Sequence, residues 1–246
     1  MLMSNTLITN SWTGLRELTP ARIALGRAGN SLPTRELMAF QMAHARARDA
    51  VWLPLDVVSF SALDPIILKS RAPDRATYLR RPDLGRRLSE ESRGCLDFGN
   101  YDAVLILADG LSAEAVHHHA PPLVEILIGK LPGWKLAPVV VVEQGRVAIG
   151  DEIGELLGAQ IAVMIIGERP GLGSPDSLGV YLTWFPRVGR TDAERNCVSN
   201  IRPEGLAPQL AGHRVAELMK AARQRQLTGV TLMTQLSSVI SPGPAC

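Results

Sequence analysis

The chain has 246 residues, of which 46% are apolar and 20% are charged, and its formal net charge is +2. This composition predicts a folded protein with a sizeable core and argues against a disordered chain. The balanced charge and the 4% aromatic content give no reason to expect nucleic acid or an anionic membrane as a partner.

The cysteines and the apolar runs indicate in which cellular compartment the protein is expected. The three cysteines are widely spaced and form no metal-ligand motif, which argues against a disulfide framework and favours a reducing cytosol. No apolar run reaches the roughly 20 residues that a membrane-spanning helix needs. Residues 1–15 lack the basic and apolar regions of a secretory signal, so no export is expected.

The first half of the chain has helical patterns. Thr19-Pro20 is typical of a helix start, and Gly26 and Gly29 offer a stop. A longer helix is predicted from about Thr34 to Pro54. Its apolar face comprises Leu37, Phe40, His44, Ala47 and Val51. The histidine on this face is expected in the core or at an interface.

A further helix is predicted over Asp83 to Cys95, with Leu84, Leu88 and Cys95 turned inward. Four arginines near it are expected on a solvated face or at a rim that meets another chain: Arg80, Arg81, Arg86 and Arg87. Residues 56–78 have a mixed pattern that predicts no element. We place a domain boundary near residue 99, so that residues 1–99 form a helical N-terminal domain.

After Gly99 short apolar runs alternate with helical stretches. The predicted strands are Ala103–Leu107, Val139–Val142, Ile161–Ile166 and Gly179–Phe185. The predicted helices run from Ser112 to about Leu131, from Asp151 to Leu157, and from about Gln209 to Gln226. This alternation predicts the α/β class, with a mostly parallel sheet covered on both faces over residues 100–246. The tail after Leu236 is expected to fray.

Ligands of an open parallel sheet bind beyond the carboxyl ends of its strands. Two loops occupy such positions, Asp109–Ser112 and Gly167–Ser177. The second is rich in glycine and proline, so it is either an ordinary surface turn or a loop whose backbone N–H groups approach a polar ligand closely. The polar segment Arg187–Ile201 leaves a similar choice between an exposed loop and the lining of a site for a large polar ligand.

Standard catalytic and nucleotide-binding motifs are incomplete. Gly171-Leu172-Gly173 does not continue into GxGxxG, and Glu114 stands where a nucleophile elbow needs its second glycine. Consecutive residues of a helix point about 100° apart, so His117–His119 cannot converge on one metal ion. These histidines are expected to form a solvated or interface patch, and no metal site is predicted.

A set of stretches spread from about residue 19 to residue 201 is more informative than any single motif. They are Thr19–Ile23, Gly26–Gly29, Arg81–Leu88, Asp109–Ser112, Gly145–Val147, Ile153–Ala159, Gly167–Leu172 and Arg195–Ile201. In this order they resemble the small (light) subunit of ethanolamine ammonia-lyase. The C-terminal helix adds little to the resemblance.

The resemblance implies a helical N-terminal domain that contacts a large subunit and a Rossmann-like domain that covers cobalamin. The large subunit, a TIM barrel, would bind ethanolamine and carry the radical chemistry that yields acetaldehyde and ammonia. Six copies of each subunit are expected in the hetero-oligomer. Adenosylcobalamin would lie between the two chains and would be contacted here by Val147, Glu168 and Cys197. No catalytic residue is expected in this chain.

The sequence also bears on how cobalamin is held and where the enzyme works. Proteins that replace the lower base of cobalamin with a histidine carry Asp-x-His-x-x-Gly, and none of the five histidines has Asp two positions before it. The cofactor is therefore expected to keep its own lower base. The expected location is the cytoplasm. A bacterial microcompartment is less strongly implied, because the chain starts almost at the shared region and family members can carry a longer N-terminal extension.

Two competing interpretations stay open. One is a stand-alone α/β hydrolase or nucleotide-binding module that uses the Asp109 and Gly167 loops, and the other is a purely structural subunit. Turnover of ATP or of an ester by this chain alone would favour the first. A cobalamin spectrum that co-purifies only with a co-expressed large subunit would favour the family expectation over both.

Overall fold

The structure is a computed structural model that describes residues 12–19 and 21–240, with side chains described as far as residue 235. Its α-helices are α1 (Thr34–Trp52), α2 (Arg75–Arg80), α3 (Glu90–Arg93), α4 (Ala113–Lys130), α5 (Ile149–Leu157), α6 (Pro208–Arg225) and α7 (Val230–Ile240). Its strands are β1 (Ile66–Lys69), β2 (Ala103–Ala108), β3 (Val140–Glu143), β4 (Ile161–Gly167), β5 (Leu178–Trp184) and β6 (Arg195–Ile201). Short 3₁₀ helices cover Thr13–Glu17, Val57–Leu63, Leu84–Arg86 and Asp192–Glu194.

The strands form one sheet in the order β1-β3-β2-β4-β5-β6. The first four of these are parallel, and β5 and β6 continue the sheet antiparallel. Every residue of β2 and β4 is buried, because helices cover both faces of the central strands. The predicted α/β class with a mostly parallel sheet is confirmed, and four predicted strands correspond to β2, β3, β4 and β5.

Side chains alternate between the two faces of the sheet and build two apolar cores. One core lies under α4 and α6, with Leu232 of α7. The other lies under α5 and includes Ile149, Ile153 and Leu88. We call the second side of the sheet the α5 face, and it carries the residues that matter for the candidate site.

Two strands were not predicted from the sequence. β1 has only four residues and lies at one edge, where a single side chain is buried, so its pattern is short and weak. β6 lies within the polar segment Arg187–Ile201, at the opposite edge, where Cys197, Ser199 and Asn200 are exposed but Arg195 and Asn196 are buried. Because β1 precedes residue 99, the sheet begins inside the region predicted to be helical, and the boundary near residue 99 remains a prediction.

The helix predicted over Asp83–Cys95 is wrong. A 3₁₀ turn at Leu84–Arg86 is followed by extended backbone and by the short helix α3. Leu88 is buried as expected, but Cys95 is exposed. A helix is interrupted because the Leu88 backbone N–H donates to Glu152 of α5 at 2.9 Å instead of to a helical carbonyl.

Glu152 also contacts Arg87, which was expected on a solvated face or at a rim that meets another chain. The side chain of Glu152 is only 2% exposed and also accepts hydrogen bonds from Arg87 and Arg93. Arg87 is therefore part of the packing between this segment and α5, whereas Arg80, Arg81 and Arg86 are exposed as predicted.

Helix α1 is confirmed and ends at Trp52, before Pro54. Its predicted apolar face is only partly covered by the described part of the chain: Leu37 and Phe40 are each 42% exposed and His44 is exposed, whereas Ala47 and Val51 are half-buried. The shorter helix predicted after Thr19 is wrong for residues 21–33, which contain turns with positive φ at Gly26 and Gly29. Pro20 lies outside the described residues.

Helix α6 matches its prediction to within one residue at each end, and α7 was not predicted. The expected fraying after Leu236 falls where side chains are not described, and residues 241–246 lie outside the described part of the chain. Among the residues that the structure does describe, no helix has the length and apolar character to cross a membrane.

His117 of α4 should make the fold sensitive to mild acid. Its Nε2 accepts the backbone N–H of Asp56 at 2.9 Å, which only a neutral imidazole can do. Desolvation lowers the pKa of His117 below its ordinary value of 6.5. The unfolded chain therefore binds the proton first, so stability should fall as the pH drops below about 6.5. We expect His117→Gln to flatten this pH dependence in urea unfolding, while replacement of the exposed His118, a smaller cause of the lowered pKa than desolvation, has a much smaller effect. Equal slopes for His117→Gln and the natural chain would contradict this.

Candidate functional site

The polar groups of the first predicted ligand loop, Asp109–Ser112, are hydrogen-bonded to other parts of the chain. Asp109 and Ser112 are buried, and Arg75 donates to Asp109 at 3.0 Å and to the Gly110 carbonyl at 2.9 Å. Burial raises the pKa of Asp109 to about 6 despite this guanidinium. Ser112 donates to the Pro175 carbonyl at 2.9 Å. The polar groups of the loop Asp109–Ser112 are thus bonded within the chain and are not available to a substrate or nucleotide, which argues against a hydrolase or nucleotide site at this loop.

The loop that carries Val147 is fixed from below. Tyr78 donates to the Gly145 carbonyl at 2.9 Å, and Asp109 accepts the Gly145 N–H at 3.1 Å. The Arg146 guanidinium lies over the Tyr78 ring, 4.2 Å from its centre. Val147 follows at the N-terminal end of α5, partly buried against the core of the α5 face. Its side chain is therefore positioned by a rigid strand-to-helix turn.

Glu168 stands directly after β4, at the carboxyl edge of the sheet. Its carboxylate accepts hydrogen bonds from the hydroxyls of Ser177 and Ser199 and from the backbone N–H of Asn200, the last at 3.2 Å. Its own N–H donates to the Ser177 carbonyl at 2.9 Å. A carboxylate offers about four acceptor positions, so three internal donors leave room for one more.

A β-bulge brings two of these donors to Glu168. The pairing of β5 with β6 shifts by one residue between the pair Leu178–Ile201 and the pair Val180–Val198. Asn200, inside the bulge, has φ +59°, a left-handed conformation that asparagine tolerates better than most residues. The bulge thereby turns the Asn200 N–H and the Ser199 hydroxyl toward the carboxylate.

The Glu168 side chain lies over a glycine of the neighbouring strand. A Cβ atom added at Gly179 would come within 2.9 Å of Glu168 Oε1 and 3.2 Å of its Cγ. Gly179 pairs with Ile166, which places it on the α5 face below the carboxylate. The absence of a side chain at this position is what lets Glu168 fold back over the sheet.

Cys197 lies on the same face in the middle of β6, opposite Tyr181 of β5. It is exposed, yet the surrounding sheet partly desolvates its sulfur, which raises the pKa of the thiol. The Tyr181 hydroxyl opposes this rise in pKa and the charge of Glu168 adds to it. Burial also raises the pKa of Tyr181. Both groups are therefore neutral near pH 7, and the thiol is a weakly polar contact instead of a nucleophile.

These residues outline an open part of the α5 face. Helix α5 packs on β2 and β4, whereas α6 and α7 pack on β6 from the opposite face. The outer part of the α5 face is left with Tyr181, Cys197, Ser199 and Glu168, which we call the open surface. Val147 belongs to the same face at the start of α5. The structure therefore places all three predicted contacts on one side of the sheet.

A buried ion pair joins the two segments that frame the open surface. Arg195, at the start of β6, donates twice to Asp151 of α5, each time at 2.6 Å, and also to Thr183 at 2.8 Å. The side chains of Arg195 and Asp151 are each 2% exposed. This pair fixes β6, which carries Cys197, to the helix that follows Val147.

The histidine tract does not form the predicted solvated or interface patch as a whole. His118 is exposed, but His119 is buried with its Nε2 3.3 Å from Asp176, and His117 contacts Asp56 as described above. The His119–Asp176 contact attaches α4 to the loop Gly167–Ser177. Across the described residues no group of histidine, cysteine and carboxylate side chains could hold a metal ion.

The sequence pattern did not reveal Ser177, Gly179, Tyr181 or Ser199 as members of the site. Ser177 was included only as the last residue of a glycine-rich loop, and Ser199 only within a polar segment and the resemblance stretch Arg195–Ile201, without a role of its own. The signal that could have found them is the alternation of strand faces, which needs the register of β5 against β6.

Comparison with known proteins identifies the family of the chain. Residues 9–233 match the model of the family described as ethanolamine ammonia-lyase light chain (EutC). The ethanolamine ammonia-lyase small subunit of Azotobacter vinelandii is 57% identical over 91% of this chain and 88% of its own length. The proteins of the same name from Pseudomonas fluorescens strain Pf0-1 and Pseudomonas aeruginosa strain LESB58 are each 56% identical over 91% of this chain. The chain therefore belongs to the family of ethanolamine ammonia-lyase small subunits.

Proposed function

We propose that this chain is the cobalamin-covering subunit of an adenosylcobalamin-dependent ethanolamine ammonia-lyase, which converts ethanolamine to acetaldehyde and ammonia. The observation that carries the proposal is the open surface, where Glu168 and Cys197 meet on a sheet face whose outer part is not covered by any helix of residues 12–19 and 21–240. An exposed surface with both polar and apolar side chains leaves room for a large ligand that a second chain covers from the other side.

The residues present fit a corrin ring edged with amides. Glu168 offers an acceptor position for an amide N–H. Its side chain occupies space over Gly179 that a Cβ atom at position 179 would fill. Val147 supplies apolar contact, and the neutral Cys197 thiol supplies a small, weakly polar one. When bound, adenosylcobalamin supplies the radical that abstracts hydrogen from the substrate. This chain binds, orients and shields the cofactor, and we place the catalytic groups in the large subunit.

The lower base of cobalamin is proposed to stay on the cofactor, because no Asp-x-His-x-x-Gly motif is present. In addition, His117 and His119 are already engaged with Asp56 and Asp176. Neither imidazole is free to take the place of the lower base without breaking a contact that holds α4 in the fold.

A small subunit implies a large-subunit partner, and α1 offers a surface for it. Met38 is 60% exposed, Met42 57% and Trp52 53%. Clustered apolar side chains of this size mark contact sites on soluble proteins. We propose that residues 1–99 contact the large subunit, a TIM barrel, through α1, and that six copies of each subunit assemble. The proposed location is the cytoplasm or a bacterial microcompartment.

The proposal is tested by reconstitution. The chain purified alone should not deaminate ethanolamine, and activity should appear when it is mixed with its large subunit and adenosylcobalamin. Acetaldehyde release is followed with a coupled alcohol dehydrogenase, and the large subunit with cofactor is the matched control. Acetaldehyde formed by this chain and cofactor alone would refute the division of labour.

The isolated chain should bind cobalamin weakly. A site shared between two chains gives each one only part of the buried contact, while the cost of ordering the ligand remains. Spectral titration should show binding by the assembled complex at concentrations where this chain alone shows none. Nanomolar affinity of the isolated chain would contradict the placement of cobalamin at the interface.

A further inference from the structure

The carboxylate of Glu168 has a seat built from two sides. Ser177 is 5% exposed and holds Glu168 twice, by a hydroxyl hydrogen bond to the carboxylate and by its carbonyl to the Glu168 N–H at 2.9 Å. From below, the bare Cα of Gly179 leaves the space in which the side chain lies. Neither residue is exposed enough to be a main contact of a large ligand, so their influence on a ligand must pass through Glu168.

Steric space at Gly179 is what distinguishes this seat from an ordinary strand position. Gly179 does not have a positive φ, so an alanine there meets no backbone strain. The added Cβ would meet Oε1 of Glu168 at 2.9 Å, and this atom is the far end of a flexible side chain. The chain can therefore accept the methyl group by moving the carboxylate while the strands stay in place.

We infer that Gly179 and Ser177 are positioning residues that set where the Glu168 carboxylate meets the cofactor. This inference rests on the proposed function, because it requires Glu168 to bind adenosylcobalamin. The inference adds to the proposed function that the affinity for the cofactor depends on the free space above Gly179 and on the buried Ser177 hydroxyl. Displacing the carboxylate should cost affinity without removing it from the protein.

The test is a set of equilibrium titrations of the assembled complex with cobalamin, read by absorbance and without turnover. Gly179→Ala should raise the dissociation constant at least about fivefold, and by no more than Glu168→Ala does. The thermal midpoint should fall by no more than it does in Glu168→Ala, because the same hydrogen bonds are affected. Gly129→Ala, at an exposed position near the end of α4, is the matched control, since a Cβ there would have nothing within 4 Å. It should leave the dissociation constant unchanged.

A double-mutant cycle separates positioning from a general structural effect. If Gly179 acts through Glu168, adding Gly179→Ala to Glu168→Ala should change the dissociation constant by less than about twofold. Ser177→Ala should behave like Gly179→Ala, and Ser177→Thr, which keeps the hydroxyl, should restore most of the affinity. Should Gly179→Ala fail to assemble, the Ser177 pair carries the same comparison.

The possible failures are distinguishable. If Glu168→Ala weakens binding while Gly179→Ala and Ser177→Ala stay within about twofold of the natural complex, the inference is overturned and the role of Glu168 stands. If the effects of Gly179→Ala and Glu168→Ala simply add, Gly179 does not act through Glu168 and the inference also fails. If Glu168→Ala itself has no effect on binding, both the inference and the proposed contact are wrong.

Discussion

Replacing Glu168 by alanine should weaken adenosylcobalamin binding by the assembled enzyme about 10- to 150-fold. The loss of a charged partner from a desolvated hydrogen bond costs roughly 1.5–3 kcal/mol, and each 1.4 kcal/mol is about tenfold in affinity. The apparent constant for ethanolamine should change little, because the substrate is proposed to lie in the large subunit. Cofactor titrations at fixed substrate and substrate titrations at saturating cofactor measure the two constants separately.

The internal hydrogen bonds of Glu168 call for controls. Alanine also leaves Ser177 and Ser199 without their acceptor, so some loss of stability is expected. Glu168→Gln keeps an acceptor oxygen and most of the volume, and should show a smaller loss of affinity. Glu204→Ala removes an exposed carboxylate near the end of β6 and should change neither constant. If Glu168→Ala leaves the cofactor constant within about twofold while the complex loses thermal stability, Glu168 serves the fold alone.

Replacing Arg195 by methionine should destabilise the chain by about 3–5 kcal/mol. Burial raises the pKa of Asp151 and the Arg195 guanidinium lowers it, so removal of Arg195 leaves a desolvated carboxylate without its counter-ion. The pKa of Asp151 in the folded variant should then lie above its value in the unfolded chain. The variant should consequently recover stability as the pH falls through that raised pKa. Urea unfolding at several pH values measures both effects.

Two further variants show whether the loss comes from the ion pair. Asp192 lies 3.4 Å from Arg195 but is fully exposed, so Asp192→Ala should cost little. Combining Asp151→Leu with Arg195→Met removes both charges and should recover much of the stability lost by the single change. A loss below about 1 kcal/mol for Arg195→Met would show that the pair does not join α5 to β6 as described.

The buried strands were predictable because helices cover both of their faces. Such strands read as unbroken apolar runs, as in Ala103–Leu107 and Ile161–Ile166, and the helices between them follow from spacing. The edge strands β1 and β6 carry no such run, because solvent or polar contacts replace one face. The prediction of a helix over Asp83–Cys95 was wrong for another reason. The Leu88 N–H donates a hydrogen bond to Glu152, which is more than 60 residues away in the sequence.

The site was predictable only in part. Spacing alone indicated the loop Gly167–Ser177, and the family resemblance singled out Val147, Glu168 and Cys197. Their common face depends on the register of β4, β5 and β6 and on the bulge at Asn200. That register is set by pairing across the sheet and is invisible along the chain. The contact of Arg75 with the Asp109 loop could not be predicted either, since the two residues are distant in sequence.

An experimental structure of the complex between this chain, its large subunit and cobalamin tests the central claim most directly. The corrin ring should lie between the two chains, over the open surface. Glu168 should be within hydrogen-bonding distance of a corrin amide, and Val147 and Cys197 should be in contact with the ring. A corrin ring enclosed by the large subunit alone, with the open surface of this chain facing solvent, would contradict the proposed role of this chain.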